Sequence, residues 1–128
     1  MDRWQIIVVD FEYASVNAAA FDIANHFHEW CADYHGEHPH SLDAAKYPTL
    51  EERQTFYRGY LGAGSVAGLE GSVQAWSAAS HAQWAVWGLV QAREDVESGV
   101  CGEFDYIGYA LSRIELFRAQ RRCGQDTL

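Results

Sequence analysis

The chain has 128 residues, 48% of them hydrophobic, and carries five tryptophans, seven tyrosines and six phenylalanines. That is enough for the core of one domain of ordinary size. Its formal net charge of −9 leaves no basic surface of the kind that nucleic acids and anionic membranes require, so neither is an expected partner, whereas cationic ligands or divalent metal carried on phosphates are compatible.

Ile6, Ile7, Val8 and Val9 are four consecutive β-branched residues, the pattern of a fully buried strand. The run stops on Asp10-Phe11-Glu12-Tyr13, so the strand is expected to present Asp10 at its carboxyl end into a cleft, with Trp4 in the core. Asn17 is placed to cap a helix over 18–30, whose Ala18, Ala19, Phe21, Ile23, Ala24, Phe27 and Trp30 recur at three-to-four spacing. A polar, histidine-rich loop is expected over 33–48. Thr49 followed by Glu52 makes a capping box, opening a helix that carries Phe56, Tyr57, Tyr60 and Leu61 and stops at Gly62. The small residues from Gly62 to Gly71 read as a loop or an unsteady helix entry.

The longest helix is expected over 72–92, with Trp76, Ser80, Trp84 and Trp87 on one stripe and Trp76 in the core. A turn-rich stretch over 94–102 then leads to a last helix from Phe104 to Arg118. The cations at its end, Arg118, Arg121 and Arg122, complement the helix dipole. No run of 18 apolar residues is present and no apolar leader core follows Met1, so a soluble, cytoplasmic protein without membrane insertion is expected. Three cysteines, Cys31, Cys101 and Cys123, are odd in number and far apart. They fit a reducing compartment rather than a disulfide framework or a zinc site.

Three groups of residues bear on chemistry. Asp10 is either a strand-end turn residue or a hard-oxygen ligand for Mg²⁺, with Glu12 as a second candidate. Trp84 and Trp87, three apart, share one helix face, and Tyr106 and Tyr109 repeat that spacing on the next helix. Ring faces beside a carboxylate hold a quaternary ammonium, which has no hydrogen bond to donate; the same stripe at helical spacing also serves as ordinary core. The six histidines, His26, His28, His35, His38, His40 and His81, include pairs two apart that point in different directions on a helix, and no His-Glu-x-x-His is present, so structural zinc is not expected. Ser80-His81 reads as helix packing, because no Gly-x-Ser-x-Gly elbow accompanies it.

Taken together, Asp10-Phe11-Glu12-Tyr13-Ala14-Ser15, Phe21 to Phe27, Glu29-Trp30, Asp33-Tyr34, Tyr47-Pro48-Thr49, Tyr60-Leu61, Ser80-His81, Trp84 to Ala92, and Phe104 to Ala110 with Arg113 resemble the choline/ethanolamine kinases. The blocks fall in the right order over roughly residues 5–119; the Gly62–Gly71 connector looks short and 93–103 looks like an insertion. The resemblance implies a mainly α chain: the helical C-terminal lobe of a protein-kinase-like (α+β) fold, entered by one β-strand and spanning 1–120, with a tail over 121–128. It implies transfer of the ATP γ-phosphoryl group to the hydroxyl of choline or ethanolamine in phospholipid biosynthesis. Asp10 becomes the Mg²⁺ ligand, with Glu12 supporting the metal or pairing within the lobe. Tyr13, Glu29, Tyr34, Trp84, Trp87, Phe104 and Tyr109 become the amino-alcohol site, and His26 a buried, satisfied imidazole. Trp30 after Glu29, and Phe11 between the acids, resemble the choline branch.

The family's glycine-rich nucleotide loop, upstream lysine and His-Asn-Asp catalytic loop have no counterpart in these residues. The chain is therefore expected to be a C-terminal part that lacks the catalytic base and is inactive by itself. The alternative is a non-catalytic module that binds choline-like cations, associates with a full-length kinase, or self-associates.

Overall fold

The computed structural model describes residues 6–62, 64–100 and 102–125. Four helices follow in chain order: α1 (Ala19–Glu29), α2 (Leu50–Leu61), α3 (Val66–Ser98) and α4 (Tyr106–Gln125), with a short 3₁₀ turn at Ala44–Lys46 between α1 and α2. The mainly helical fold class expected from the sequence is what the chain adopts. Among the described residues no helix is long and apolar enough to cross a membrane. Trp4 and Cys101 lie outside the described residues, as does the Cys123 side chain.

The helix ends follow from local chemistry. Thr49 and Glu52 form the expected capping box: Thr49 N donates to Glu52 Oε2 at 2.7 Å and Glu52 N donates to Thr49 Oγ1 at 3.3 Å. The α2 helix then stops at Gly62. At α1 the capping position is Ala18, one residue beyond the expected Asn17, whose Oδ1 accepts from Ala18 N at 2.8 Å. The α3 helix starts earlier and ends later than its apolar pattern suggests. Ser65 Oγ caps it by accepting from Gly68 N at 3.3 Å, and Gly99 closes it in the left-handed region at φ 68°. The stretch over 94–98, expected to be turns, is its last turn and more, supported by the Arg93–Glu97 pair at 2.7 Å.

The helix α3 is the axis of the fold, about 50 Å long at 1.5 Å per residue, and α1, α2 and α4 all pack on it. One core cluster joins Ala20, Ile23, Ala24 and Phe27 of α1 to Tyr57 of α2 and Val73 of α3. Arg53 clips α2 to α3 by a two-pronged contact to Glu70 (2.7 and 3.2 Å), and Tyr57 donates its hydroxyl to the same carboxylate. A second contact, between α3 and α4, depends on small residues. A Cβ on Gly88 would meet Tyr109 Cδ1 at 3.0 Å and the Tyr106 carbonyl at 3.1 Å, so only glycine admits this approach.

Further expectations are corrected. The last helix starts at Tyr106 rather than Phe104 and runs past Arg118 to Gln125, into the stretch expected as a tail over 121–128. Ile6–Val9 form no strand: they run as irregular chain, with Ile6 94% exposed. A buried strand needs neighbours for its backbone groups, and the only β pairing among the described residues is an isolated bridge between Ala32 and Leu42. Trp76 is 42% exposed, edge-on to Phe21, rather than in the core. The buried line of α3 runs through Val73, Ser77 and Ser80, and Trp76 sits one position off it. His26 is exposed, stacked on Phe56 and accepting from Trp30 Nε1 at 3.3 Å; the buried imidazole of α1 is His28.

Candidate functional site

The aromatic residues singled out in the sequence come from four separate segments and meet at one end of the α1–α3–α4 packing. Trp84 and Trp87 of α3 lie edge-to-face, 5.4 Å between centroids. Trp87 is also edge-on to Tyr106 at 5.6 Å and to Tyr109 at 5.8 Å, both on α4. Phe104, just before α4, contacts Tyr109 at 5.7 Å, and Tyr34, from the loop after α1, approaches Phe104 at 6.3 Å. These rings surround a cavity of about 490 Å³ whose wall is completed by Glu29 and Asn25 of α1. Its size falls within the range of small-molecule pockets. Tyr13 stands beside it, edge-on to Trp84 at 6.1 Å and accepting from Trp87 Nε1 at 3.1 Å.

Glu29 is the carboxylate of this cavity. Its Oε2 accepts from the Tyr34 hydroxyl at 2.8 Å and its Oε1 from Arg113 Nη2 at 3.1 Å. Burial and the adjacent Glu29 carboxylate push the Tyr34 hydroxyl well above the usual phenol range, so it stays a donor. Tyr109 is raised as well, chiefly by burial. The site is thus a set of aromatic rings around one carboxylate.

Behind the cavity lies a buried polar network that the sequence reading did not assign to the site. Gln120 Nε2 donates to Ser77 Oγ at 2.6 Å, and Ser77 meets His28 Nε2 at 2.8 Å. His28 Nδ1 meets Ser80 Oγ at 3.2 Å, and Ser80 donates to Asn25 Oδ1 at 3.3 Å. The end partners fix the direction of the chain: Ser77 donates to Nε2, Nδ1 carries the ring proton, and His28 is neutral. His81 stacks on His28 at 3.9 Å. Burial first, then the charges of His81 and Arg113, pull His28 down to about 2. Burial and Arg113 pull His81 down to about 4.

Asp10 lies in a second hollow of about 580 Å³, with Tyr13, Ser15, Asn17 and Asp22, which shares Asn25 and Trp84 with the aromatic cavity. Its backbone is left-handed at φ 66°, a conformation in which Asp is among the few tolerated side chains. Glu12 is exposed and lines neither space. Among the described residues no three His, Cys, Asp or Glu side chains gather into a metal cluster. One or two exposed carboxylates, Asp10 with Asp22 in the same hollow, fit Mg²⁺ only where phosphate oxygens and water complete the shell.

Comparison with known proteins decides the family. The choline/ethanolamine kinase family model matches residues 2–118. The chain belongs to the choline/ethanolamine kinase family. Probable choline kinase 2 of Arabidopsis thaliana is 40% identical over 119 residues, covering 88% of this chain and 33% of the relative. Choline kinase of Schizosaccharomyces pombe is 30% identical, covering 88% and 37%, and choline/ethanolamine kinase of Homo sapiens is 35% identical, covering 91% and 32%. The chain therefore spans about a third of the length of these choline/ethanolamine kinases. No solved structure matches it.

Of the residues chosen from sequence, Glu29, Tyr34, Trp84, Trp87, Phe104 and Tyr109 line one cavity with Tyr13 at its edge, while Asp10 lies in the adjoining hollow and Glu12 is in neither. Asn25 and Tyr106 also line that cavity, Tyr106 singled out in the sequence only for its spacing with Tyr109 and Asn25 given no role there. Both carry a positional signal: Asn25 is one helical turn before Glu29, and Tyr106 is one turn before Tyr109.

Proposed function

We propose that this chain forms the amino-alcohol cradle of a choline kinase, holding choline by its ammonium in the cavity lined by Glu29, Tyr34, Trp84, Trp87, Phe104 and Tyr109. The single observation that carries the reading is the convergence of these side chains, from four chain segments, on one cavity with a carboxylate in its wall. Each ring face presented to a cation is worth roughly 0.5 to 2 kcal/mol, depending on desolvation. Glu29 adds Coulombic attraction without being hydrogen-bonded by the ligand.

Choline suits this wall better than ethanolamine. A primary ammonium has three donors to satisfy, whereas each Glu29 oxygen and Asn25 Oδ1 already accepts one hydrogen bond within the protein, which halves the acceptor capacity they could offer it. Methyl groups against ring faces leave no donor unpaired.

The adjoining hollow, which shares Asn25 and Trp84 with the cavity, would receive the hydroxyl end of a substrate whose ammonium is so held, and Asp10 there would hold the Mg²⁺ that accompanies ATP. Held by Asp10, such an ion would supply charge neutralisation to the transferring phosphoryl group. The residues of this chain bind and orient the alcohol; the base that takes its proton, and the nucleotide lobe, are supplied from outside these 128 residues. A cytoplasmic setting accords with this reading.

Titrating choline, ethanolamine and Mg²⁺–ATP into the purified chain, while following tryptophan emission, tests the proposal. Saturable quenching by choline, weaker with ethanolamine, is expected. Equal response to both amines, or none to choline, overturns it.

A further inference from the structure

Arg113 is the most deeply buried cation of the chain's described part, with no exposed surface, and its guanidinium is tied on three sides. Nη2 donates to Glu29 Oε1 at 3.1 Å, Nε to the Tyr109 hydroxyl at 3.2 Å, and Nη1 contacts His81 Nδ1 at 3.2 Å. Its carbon lies 5.2 Å from the Tyr109 ring centroid. A guanidinium has no lone pair to offer, so His81 Nδ1 is the acceptor and its proton sits on Nε2. His81 cannot swing away, because it is stacked on His28, which Ser77 and Ser80 clamp from both ring nitrogens. A buried charge is tolerated when paired and fully hydrogen-bonded, and this one is paired with the very carboxylate that faces the cavity.

We propose that Arg113, held from behind by His81, is a positioning residue for the cation site: it fixes the Glu29 carboxylate, and its own charge is the counterweight that sets how strongly the cavity attracts an ammonium ion. The inference rests on the cation-binding reading above and goes beyond it. The carboxylate that draws the ligand is already half-balanced by a cation on the protein side. Removing Glu29 alone therefore does more than lose an attraction: it exposes the ligand to an uncompensated guanidinium a few ångströms behind the wall. Removing both charges restores a neutral aromatic cavity.

The test is a double-mutant cycle on the chain itself, with Glu29→Gln, Arg113→Met and the double variant. Tryptophan quenching reads the binding of choline and of its uncharged isostere 3,3-dimethylbutan-1-ol. Glu29→Gln is expected to weaken choline by about tenfold or more, the scale of a lost charge contact, while changing the isostere by less than about twofold. Adding Arg113→Met to Glu29→Gln recovers part of the choline loss and leaves the isostere unchanged. A general loosening of the fold would move both ligands together, so a parallel loss refutes the assignment. So does a double variant that binds choline no better than Glu29→Gln.

His81 gives an independent arm, decisive alone if Arg113→Met does not fold by its thermal transition. His81→Leu removes the acceptor and should weaken choline severalfold with little effect on the isostere. His81→Asn, whose Oδ1 replaces Nδ1, should restore binding. Equal choline affinity in both His81 variants overturns the positioning role. Failure of the unmodified chain to bind choline overturns the cation-site reading, and this inference with it; binding by the unmodified chain without the charge-specific pattern overturns only the inference.

Discussion

Lowering the pH from 7 to 5 should withdraw stability through two residues, His28 and His81. In the unfolded chain each imidazole titrates near 6.5. In the folded chain burial, then His81 and Arg113, lower His28 to about 2, and burial with Arg113 lowers His81 to about 4. The groups facing this pair are each other, the Arg113 guanidinium, the Tyr47 ring and the Ser77 and Ser80 hydroxyls. None is an anion that would favour protonation. Both folded values lie below the unfolded one, so beneath pH 6.5 the unfolded chain binds more protons than the native chain. The stability from keeping the rings neutral is complete above 6.5 and falls as pH drops from there toward the folded values.

Each histidine contributes a slope of about 1.4 kcal/mol per pH unit in that window. Between pH 7 and pH 5 the pair accounts for a loss of roughly 2 to 4 kcal/mol, a large part of the 5 to 15 kcal/mol typical of a domain. Glu70, held below the usual carboxylate range mainly by Arg53, adds its own loss only as pH falls below about 4.5, outside this window. Urea unfolding at pH 7, 6, 5.5 and 5 measures the effect, and His81→Asn should flatten the slope. Unfolding free energies that stay constant from pH 7 to 5 would refute the neutral, buried histidine pair.

Three other outcomes are expected. Gly88→Ala places a methyl 3.0 Å from Tyr109 Cδ1, and overpacking of about 1 to 3 kcal/mol outweighs the helix-propensity gain of about 1 kcal/mol; a lower melting temperature and weaker choline binding are expected, and a raised melting temperature contradicts the close α3–α4 approach. Glu70→Gln breaks the two-pronged pair with Arg53 and alters the Tyr57 acceptor, with an expected loss of about 1 to 3 kcal/mol in urea unfolding; an unchanged midpoint would show that α2 is held by apolar packing alone. Cys31 is buried and its thiol is pushed up to about 11, first by burial and then by Asp43, so peptide mapping after alkylation at pH 8 should find it unmodified in the native chain and labelled in urea. Rapid native labelling would show that the α1 end opens.

What could be read from the sequence divides along physical lines. Local signals held: the Thr49–Glu52 box, the Gly62 stop and the Phe21, Ile23, Ala24 and Phe27 face of α1 depend on neighbours within one turn and appear where their chemistry sits, while Ala19 and Trp30 of the expected face are exposed. The Trp84–Trp87 pair was legible because spacing alone puts both on one helix face. Non-local requirements were not legible. Ile6–Val9 has the composition of a buried strand, but composition does not supply the partners a strand needs. The extent of α3 was hidden because it packs on helices from several directions, so its burial pattern does not follow one apolar face. His28, not His26, is the buried imidazole because Ser77 and Ser80 lie across from it on α3. Arg113 was similarly concealed: a buried arginine looks like any surface cation until Glu29, Tyr109 and His81 are brought around it.

The most direct test of the account is to locate bound choline by NMR, following contacts from its trimethylammonium protons to the rings of the chain. The account predicts cross-relaxation from those methyls to the indole protons of Trp84 and Trp87 and to the Tyr109 ring, with upfield-shifted methyl resonances. Contacts to other residues, or methyl signals unmoved at saturating chain concentration, would contradict the assignment of this cavity as the ammonium site.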